Sequence, residues 1–337
     1  LDVSLKRLVD DKLIVATEKV EDLKNATVFF ITVGTPLNEK REINLQSIKN
    51  ASHQVASIMS EDSLIIFRST MKVGTARNVV KPIIESYGKN FKLAVCPERT
   101  LEGRALEELH FLPQIIGGFD EVAQNRAIKI FDRITEKTIS VSSPETAEVI
   151  KLVDNTYRDV QFAFGNEVAS VCNVLEGVNA GEVIRLGKLG YPRTSVASPG
   201  LVGGPCLSKD PHILNQSAQV HGITMSITES ARNINESMPM ITAKFISEKL
   251  KFNTKPIITI AGFAFKGEPE TDDLRGSMSI EVMNAIQNIM PNSKINIYDP
   301  IVKIKDLQKI SEHCFTNFND SILDSDVIVI CNNHEFF

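Results

Sequence analysis

The sequence contains no tryptophan and 4 tyrosines among its 337 residues, and it has no excess of basic side chains. Its 37 Lys and Arg residues are outnumbered by 42 Asp and Glu residues, which gives a formal net charge of -5. Proteins that bind a phosphate backbone favour basic surfaces. The charge balance therefore argues against a nucleic acid as a partner.

Cysteine is scarce and widely spaced, and long hydrophobic runs are absent. The five cysteines form no CxxC pair, which argues against a disulfide framework or a zinc site and favours a reducing cytoplasm. The six histidines have no ligand-like spacing, so we expect no metal. No segment approaches the ~20 apolar residues of a membrane-spanning helix, and we expect no membrane association.

The G-x-G-x-x-G turn that usually opens a dinucleotide-binding domain does not occur anywhere in the sequence. Residues 1–25 do not offer a strand and a glycine-rich turn in its place. Either the first domain does not bind a dinucleotide, or the beginning of that domain is absent.

Short apolar runs alternate with longer amphipathic ones, a pattern typical of strands and helices wound into a parallel sheet. The predicted buried strands cover 26–33, 63–67, 91–96 and 113–118, and helical spacing covers 45–60 and 75–87. The alternation resumes towards the C-terminus with PIITIAGFAFKG, KINIYDP and DVIVICNN. The sequence therefore predicts an α/β fold with a second α/β domain near the C-terminus.

The stretch 143–176 predicts one unusually long helix. It opens with Ser-Pro-Glu, a favourable helix start, and Gly177 follows as a stop signal. We interpret this helix as a spine that joins two domains and also two subunits. The predicted domains are 1–142, 143–240 and 241–337.

Polar residues follow three of the predicted strands. They are Gly34-Thr35-Pro36, Ser69-Thr70 and Pro97-Glu98, with Glu102 four residues further on. Each group alone is better explained as a cap or a turn. Ligands of open parallel sheets bind beyond the carboxyl ends of the strands, so together these residues would line one crevice.

Lys151 and Asn155 are four residues apart on the long helix and therefore share a face. A solvated lysine is the ordinary interpretation. The neighbouring residues 149, 150, 152 and 153 are apolar, however, which predicts that this turn is packed and that the two polar side chains need partners.

The segment GGPCLSKD, residues 203–210, places Cys206 between two glycines and a charged pair. Glycines allow close approach to a ligand, and Lys209 near the thiol would favour the reactive thiolate. A free structural cysteine is the alternative. A Cys-His hydrolase would need an imidazole base, and neither His212 nor His221 stands out.

Several of these segments coincide with one pattern: the sequence resembles the UDP-glucose/GDP-mannose dehydrogenase family. The resemblance runs along the whole chain through FITVGTPL, RSTMKVGT, CPERTLEG, KLVDNTYRDV, GGPCLSKD and AFKGEPETDDLRGS. It implies two Rossmann-like parallel-sheet domains joined by a long central helix that makes a homodimer. It also implies NAD-dependent oxidation of a nucleotide sugar at C6, in two steps, to a carboxylate.

The resemblance implies a role for each candidate residue. Cys206 would capture the intermediate aldehyde as a thiohemiacetal that is oxidised to a thioester. Lys151 and Asn155 would stabilise the developing oxyanion. The remaining catalytic residues would be Asp210 and Thr70, which hold a water, and Glu98, the base for thioester hydrolysis. The NAD-binding positions would be Thr35, Thr70, Glu102, Lys209 and Arg275, and the substrate-binding positions Glu98, Arg99, Lys151, Asn155, Gly203 and Lys266.

The segments PER and NTYRDV resemble the branch of the family that acts on UDP-N-acetylhexosamines, with UDP-N-acetyl-D-mannosamine as first choice. UDP-glucose, UDP-N-acetylglucosamine or UDP-N-acetylgalactosamine remain alternatives, as does a non-catalytic nucleotide-sugar-binding subunit. A hydroxyacid or 6-phosphogluconate-type dehydrogenase would not explain GGPCLSKD. In the family the glycine turn lies upstream, so we expect a truncated N-terminal domain and weak NAD binding by this polypeptide.

Overall fold

The computed structural model describes residues 2–337, with side chains from residue 5 onward, as two compact units. The first unit comprises the residues up to Pro36 together with Ile43–Glu98 and Phe111–Glu148. The second unit comprises Leu37–Glu42, Arg99–His110 and Val149–Phe337. Two segments from the N-terminal half of the sequence therefore belong to the second unit: the short loop Leu37–Glu42 and the segment Arg99–His110, which contains Glu102.

The first unit contains a five-stranded sheet in the order β1-β2-β3-β4-β5. Its strands are β1 (Val28–Ile31), β2 (Ser63–Phe67), β3 (Phe91–Val95), β4 (Gln114–Gly118) and β5 (Thr138–Ser140). Its helices are α1 (Asp2–Asp10), α2 (Gln46–Ile58), α3 (Lys81–Glu85) and α5 (Glu121–Phe131), with a 3-10 turn at Val20–Leu23 and a π-helical turn at Ala76–Val80. The strands predicted from apolar runs are confirmed.

One pairing in this sheet differs from the predicted parallel arrangement. β4 runs antiparallel to β3, with Ala94 opposite Gly118, whereas the other pairs are parallel. A parallel partner needs a crossover connection, usually a helix packed on the sheet. The helix between β3 and β4, α4 (Ala105–Phe111), lies almost wholly in the second unit and makes no such crossover.

The long helix is α6 (Pro144–Val174), and its 31 residues confirm the predicted long helix. Ser143 accepts a hydrogen bond from the amide of Thr146, and Pro144 follows it as the first helical residue. Gly177 lies in the turn three residues after the helix ends and has φ +75, a left-handed conformation that costs glycine little. At 1.5 Å per residue the helix is about 46 Å long.

The second unit contains helices and a smaller parallel sheet in the order β7-β6-β8. The strands are β6 (Ile257–Ala261), β7 (Lys294–Tyr298) and β8 (Val327–Ile330). The helices after α6 are α7 (Ala180–Gly187), α8 (Gly204–Leu207), α9 (Asp210–Gln219), α10 (Ser226–Lys249), α11 (Met278–Ile289), α12 (Ile304–Leu307) and α13 (Phe318–Ile322). The predicted fold class, two Rossmann-like α/β domains with a long central helix, is confirmed.

Each sheet has its own apolar core, because the strands are short runs of aliphatic residues with helices packed on them. In the first unit Leu64 and Ile66 of β2 pack with Phe131 of α5. In the second unit Ile258 and Ile260 of β6 belong to one core with Ile286 of α11. The two cores hold the strands and helices in place, and the candidate site residues lie on these elements or directly after them.

Candidate active site

The ends of β1 and β2 meet as the sequence predicts. The hydroxyl of Thr35 donates to the carbonyl oxygen of Thr70 over 2.8 Å, and that of Ser69 donates to Val33 O over 2.7 Å. Gly34 leaves open space where a side chain would begin. This edge of the first unit is therefore built from small residues at the carboxyl ends of parallel strands, a place that fits a nucleotide cofactor.

Glu98 lies at the end of β3 with an arginine partner that the sequence analysis did not single out. Arg68, the residue directly after β2, makes an ion pair with the Glu98 carboxylate. Arg68 also donates through Nη1 to Gln114 Oε1 over 2.8 Å. Arg68 directly follows β2 and precedes Ser69 and Thr70, so it carries the same strand-end signal as those two residues.

Lys151 and Asn155 are both buried, at 8% and 7% exposed, which confirms that this turn of α6 is packed. The partner of Asn155 is Asp210: Asn155 Nδ2 donates to Asp210 Oδ2 over 2.6 Å. The helix α6 and the segment after Cys206 therefore meet through these two side chains, as the candidate site requires.

Asp210 is fully buried at the start of α9. Burial raises the pKa of its carboxyl, while Lys209, the hydrogen bond from Asn155 and Lys151 oppose the increase. Lys209 Nζ lies 3.9 Å from Asp210 Oδ1. Lys209, Asn155 and Lys151 thus stabilise the charged form of a carboxylate that burial would otherwise keep neutral.

Cys206 lies on the four-residue helix α8 and is exposed as a residue. Loss of solvation around the thiol raises the pKa of Cys206, and Asp210 adds to the increase. Lys151, Lys209 and Arg158 act in the opposite direction. Lys209 therefore lowers the pKa of Cys206 as expected, but the loss of solvation around the thiol and the neighbouring carboxylate have the larger effect, so the net pKa is raised.

The glycines before Cys206 make room for protein rather than for a ligand alone. A Cβ atom on Gly203 would lie 2.3 Å from the carbonyl oxygen of Gly276. Gly204 has φ +89 and donates its amide to the same oxygen over 2.8 Å. The segment that carries Cys206 thus packs against Gly276, the residue directly after Arg275.

The remaining candidate site residues of the second unit lie in the segment Arg99–His110, which contains Glu102, and in the segment after β6 that contains Lys266 and Arg275. Lys266 Nζ donates to the Glu102 carbonyl oxygen, and Thr271 donates to Glu102 Oε1 over 2.7 Å. Burial lowers the pKa of Lys266, an effect that Glu102 opposes. Arg99 pairs with Asp154 on α6 over 3.2 Å.

Glu102 and Arg275 line the same open groove, of about 640 Å³. Arg275 is exposed and pairs with Asp273, which also lines the groove. The other lining residues are Asp272, Leu274, Ile280, Asp306, Lys309 and Ile310. Two of the predicted cofactor positions are therefore brought together in the second unit. Among the described residues, no three His, Cys, Asp or Glu side chains cluster as metal ligands.

The fold and these residues together define a class: a dehydrogenase with Rossmann-like domains, in which a cysteine lies near a lysine and a carboxylate, and that carboxylate is hydrogen-bonded to an amide side chain. The UDP-glucose/GDP-mannose dehydrogenase family matches along the chain: its NAD binding domain at residues 1–135, its central domain at 145–237 and its UDP binding domain at 259–337. The chain belongs to this family, and it is an NAD-dependent nucleotide-sugar dehydrogenase.

Named relatives extend over the whole chain. A UDP-N-acetyl-D-mannosamine dehydrogenase from Pyrococcus horikoshii is 35% identical over 349 residues, covering 100% of this chain and 78% of the relative. One from Campylobacter jejuni is 30% identical over 357 residues, covering 100% and 84%. The solved structure of a UDP-D-ManNAc dehydrogenase from Pyrococcus horikoshii has a TM-score of 0.88 at 33% identity, covering 98% of this chain and 77% of that one. In residues 2–337 no helix combines the length and apolarity needed to cross a bilayer.

Proposed function

We propose that this chain catalyses the two-step oxidation of the C6 alcohol of a UDP-N-acetylhexosamine to the uronic acid, with UDP-N-acetyl-D-mannosamine as the substrate of first choice. The observation that carries the proposal is the meeting of Cys206, Lys151, Asn155 and Asp210 in the second unit. The names of relatives that are 35% and 30% identical support the choice of sugar.

Cys206 forms the covalent intermediate. After the first oxidation its Sγ adds to C6 of the aldehyde, and the thiol proton goes to the aldehyde oxygen, which gives a thiohemiacetal. The second oxidation removes a hydride from C6 and the hydroxyl proton, which leaves a thioester. Water then adds to C6 and the bond to Sγ breaks, so a carboxylate leaves and the thiol is restored. NAD, when bound, accepts the hydride in each oxidation.

Lys151 and Asn155 stabilise negative charge on the oxygen at C6. Both are buried donors on one face of a rigid helix, so they need little reorganisation when the charge develops. Lys151 also lowers the pKa of Cys206, which helps the thiol to lose its proton. Asn155 is fixed by Asp210 over 2.6 Å and so keeps one orientation.

The hydrolytic step needs a water and a base. Asp210 and Thr70 are the proposed water-holding residues, and Glu98 is the proposed base. The ion pair with Arg68 gives Glu98 a fixed orientation at the end of β3. The remaining binding roles are also proposals: NAD would contact Thr35, Thr70, Glu102, Lys209 and Arg275, and the sugar nucleotide would contact Glu98, Arg99, Lys151, Asn155, Gly203 and Lys266.

The test supplies UDP-N-acetyl-D-mannosamine and NAD to the purified native protein and measures NADH per sugar consumed. We expect two NADH per sugar and a uronic acid product, with lower kcat/KM for UDP-glucose, UDP-N-acetylglucosamine and UDP-N-acetylgalactosamine. Cys206→Ser should lose the complete oxidation, and Cys172→Ser, a buried cysteine on α6, is the matched control. Full turnover by Cys206→Ser would refute the nucleophile role.

We further propose a homodimer through the central helix. Tyr157, Phe164 and Val171 are 62%, 54% and 57% exposed, and their spacing of seven places them on one stripe of α6. Phe164→Glu should convert a dimer into a monomer in light scattering, and a wild-type monomer would contradict the proposal. The domain limits 1–142, 143–240 and 241–337 and a cytoplasmic location stay predictions.

A further inference from the structure

A buried arginine lies behind the turn that carries Cys206. Arg232 on α10 is 3% exposed, and its Nη1 donates to the carbonyl oxygen of Leu207 over 3.0 Å. Leu207 is the last residue of the four-residue helix α8, and the carbonyl groups at a helix end have no partner within the helix. Arg232 thus closes the C-terminal end of the turn next to the nucleophile.

Asp159 holds Arg232 in place. Arg232 Nη1 donates to Asp159 Oδ1 over 2.6 Å, and Asn235 Nδ2 donates to the same oxygen over 2.9 Å. Asp159 lies four residues after Asn155 and eight after Lys151, so the three side chains share one face of α6. The helix face that carries the proposed oxyanion donors therefore also carries the anchor of the Cys206 turn.

The same network reaches the other end of the Cys206 segment. Asn166 on α6 accepts the amide of Gly200 over 2.8 Å and donates to its carbonyl oxygen over 3.1 Å. Asn166 Nδ2 also donates to Asn235 Oδ1 over 3.0 Å. Residues 200–207 are therefore held at both ends by one set of buried polar groups that bridges α6 and α10.

Stability alone is a weak explanation for this network. Asp159 Oδ2 and Arg232 Nε are buried without a hydrogen-bond partner, although Arg232 Nε lies 3.5 Å from Glu236 Oε1. A buried ion pair that leaves polar atoms unsatisfied is commonly no more stable than apolar side chains of the same size. The pair is better explained by what it fixes in position.

We propose that Arg232 is a positioning residue for the reaction at Cys206. Through the Leu207 carbonyl it fixes the Cys206 turn relative to the face of α6 that presents Lys151 and Asn155. The inference rests on the proposed function, because it takes Cys206 as the nucleophile. Loss of Arg232 should then slow the chemical steps and leave substrate affinity nearly unchanged, since the buried side chain does not present a surface to a ligand.

The test compares Arg232→Met, which keeps an unbranched, flexible side chain but removes the guanidinium donors, with Arg232→Lys and Asp159→Asn. The matched control is Arg126→Met, because Arg126 in the first unit also donates to a carboxylate and a carbonyl, both of Asp62. Two quantities are measured: kcat and KM with UDP-N-acetyl-D-mannosamine, and hydrogen exchange of the peptide that covers residues 200–209. Arg232→Lys serves as the main variant if Arg232→Met does not fold.

In Arg232→Met we expect kcat to fall on the order of 10- to 100-fold while KM changes less than about threefold, with partial recovery in Arg232→Lys. Hydrogen exchange should become faster in residues 200–209 and stay unchanged elsewhere. An unchanged kcat, a rise in KM alone, or faster exchange throughout the chain would overturn the proposal. If Cys206→Ser keeps full turnover, the proposed function fails, whereas the exchange data still report separately on the anchor.

Discussion

Glu148 makes the stability of the first unit depend on pH. Its side chain is 3% exposed, and its two carboxylate oxygens accept the backbone amides of Gly74 over 2.6 Å and Ala76 over 2.9 Å. Burial raises the pKa of Glu148 from 4.5 to about 7, although the two amides oppose the increase. The group therefore titrates near neutral pH in the folded protein and near its ordinary value in the unfolded chain.

The sign of the effect follows from linkage. Because the pKa of Glu148 is higher in the folded state, the folded protein binds the proton more tightly, and the free energy of unfolding rises as the pH falls from about 7 to 4.5. At about 1.4 kcal/mol per pKa unit, the full effect is about 3 kcal/mol. This stabilisation is complete below the unfolded pKa and is lost as the pH rises through 7.

The assay is urea unfolding followed by far-UV circular dichroism at pH 5, 6, 7 and 8. Wild type should gain stability towards pH 5 relative to Glu148→Gln, which has no titrating group at this position. The matched control is Glu145→Gln: Glu145 pairs with Arg77 over 2.5 Å, and that hydrogen bond lowers the pKa of Glu145. The contribution of Glu145 is complete above its unfolded pKa of 4.5 and is lost only below it, so Glu145→Gln should keep the wild-type pH dependence between pH 5 and pH 8. The same pH dependence in wild type and Glu148→Gln would refute the reasoning.

Three further predictions concern the second unit and the long helix. Gly203→Ala should lower the thermal midpoint and the activity, because the new Cβ would lie 2.3 Å from a backbone oxygen, whereas Gly200→Ala, with open space, should not. Gly177→Ala should cost about 1 kcal/mol in unfolding free energy, because φ is +75 there, and an unchanged urea midpoint would contradict this. Alkylation of Cys206 by iodoacetamide should shift to lower pH in Asp210→Asn, because Asp210 raises the pKa of the thiol; an unchanged pH profile would argue against that cause.

Local patterns predicted the elements that depend on local physics. The run SLIIF became β2 because all of its side chains are buried, so a short apolar stretch was sufficient. The Ser-Pro-Glu start and Gly177 placed the ends of α6 within a few residues, because caps and stops act within one turn. The position of Lys151 and Asn155 on one buried face followed from their spacing and from their apolar neighbours.

The partners of these side chains depend on tertiary contacts that no local pattern encodes. Arg232 reaches Asp159 and Leu207 across 73 and 25 residues of sequence, and nothing near Arg232 points to either. The net pKa of Cys206 is likewise not encoded locally, since its largest cause is the loss of solvation in the folded chain rather than an adjacent residue. Asp159 could have been found, because it continues the spacing of four that begins at Lys151.

The single face of α6 has a consequence for how this protein can change. Lys151, Asn155, Asp159 and Asn166 act together only because the helix repeats every 3.6 residues. One residue inserted between Asn155 and Asp159 would rotate everything that follows by about 100° and detach both anchors of the Cys206 segment at once. Between Lys151 and Asn166 a substitution can alter one contact at a time, whereas an insertion or deletion alters all the contacts that follow it.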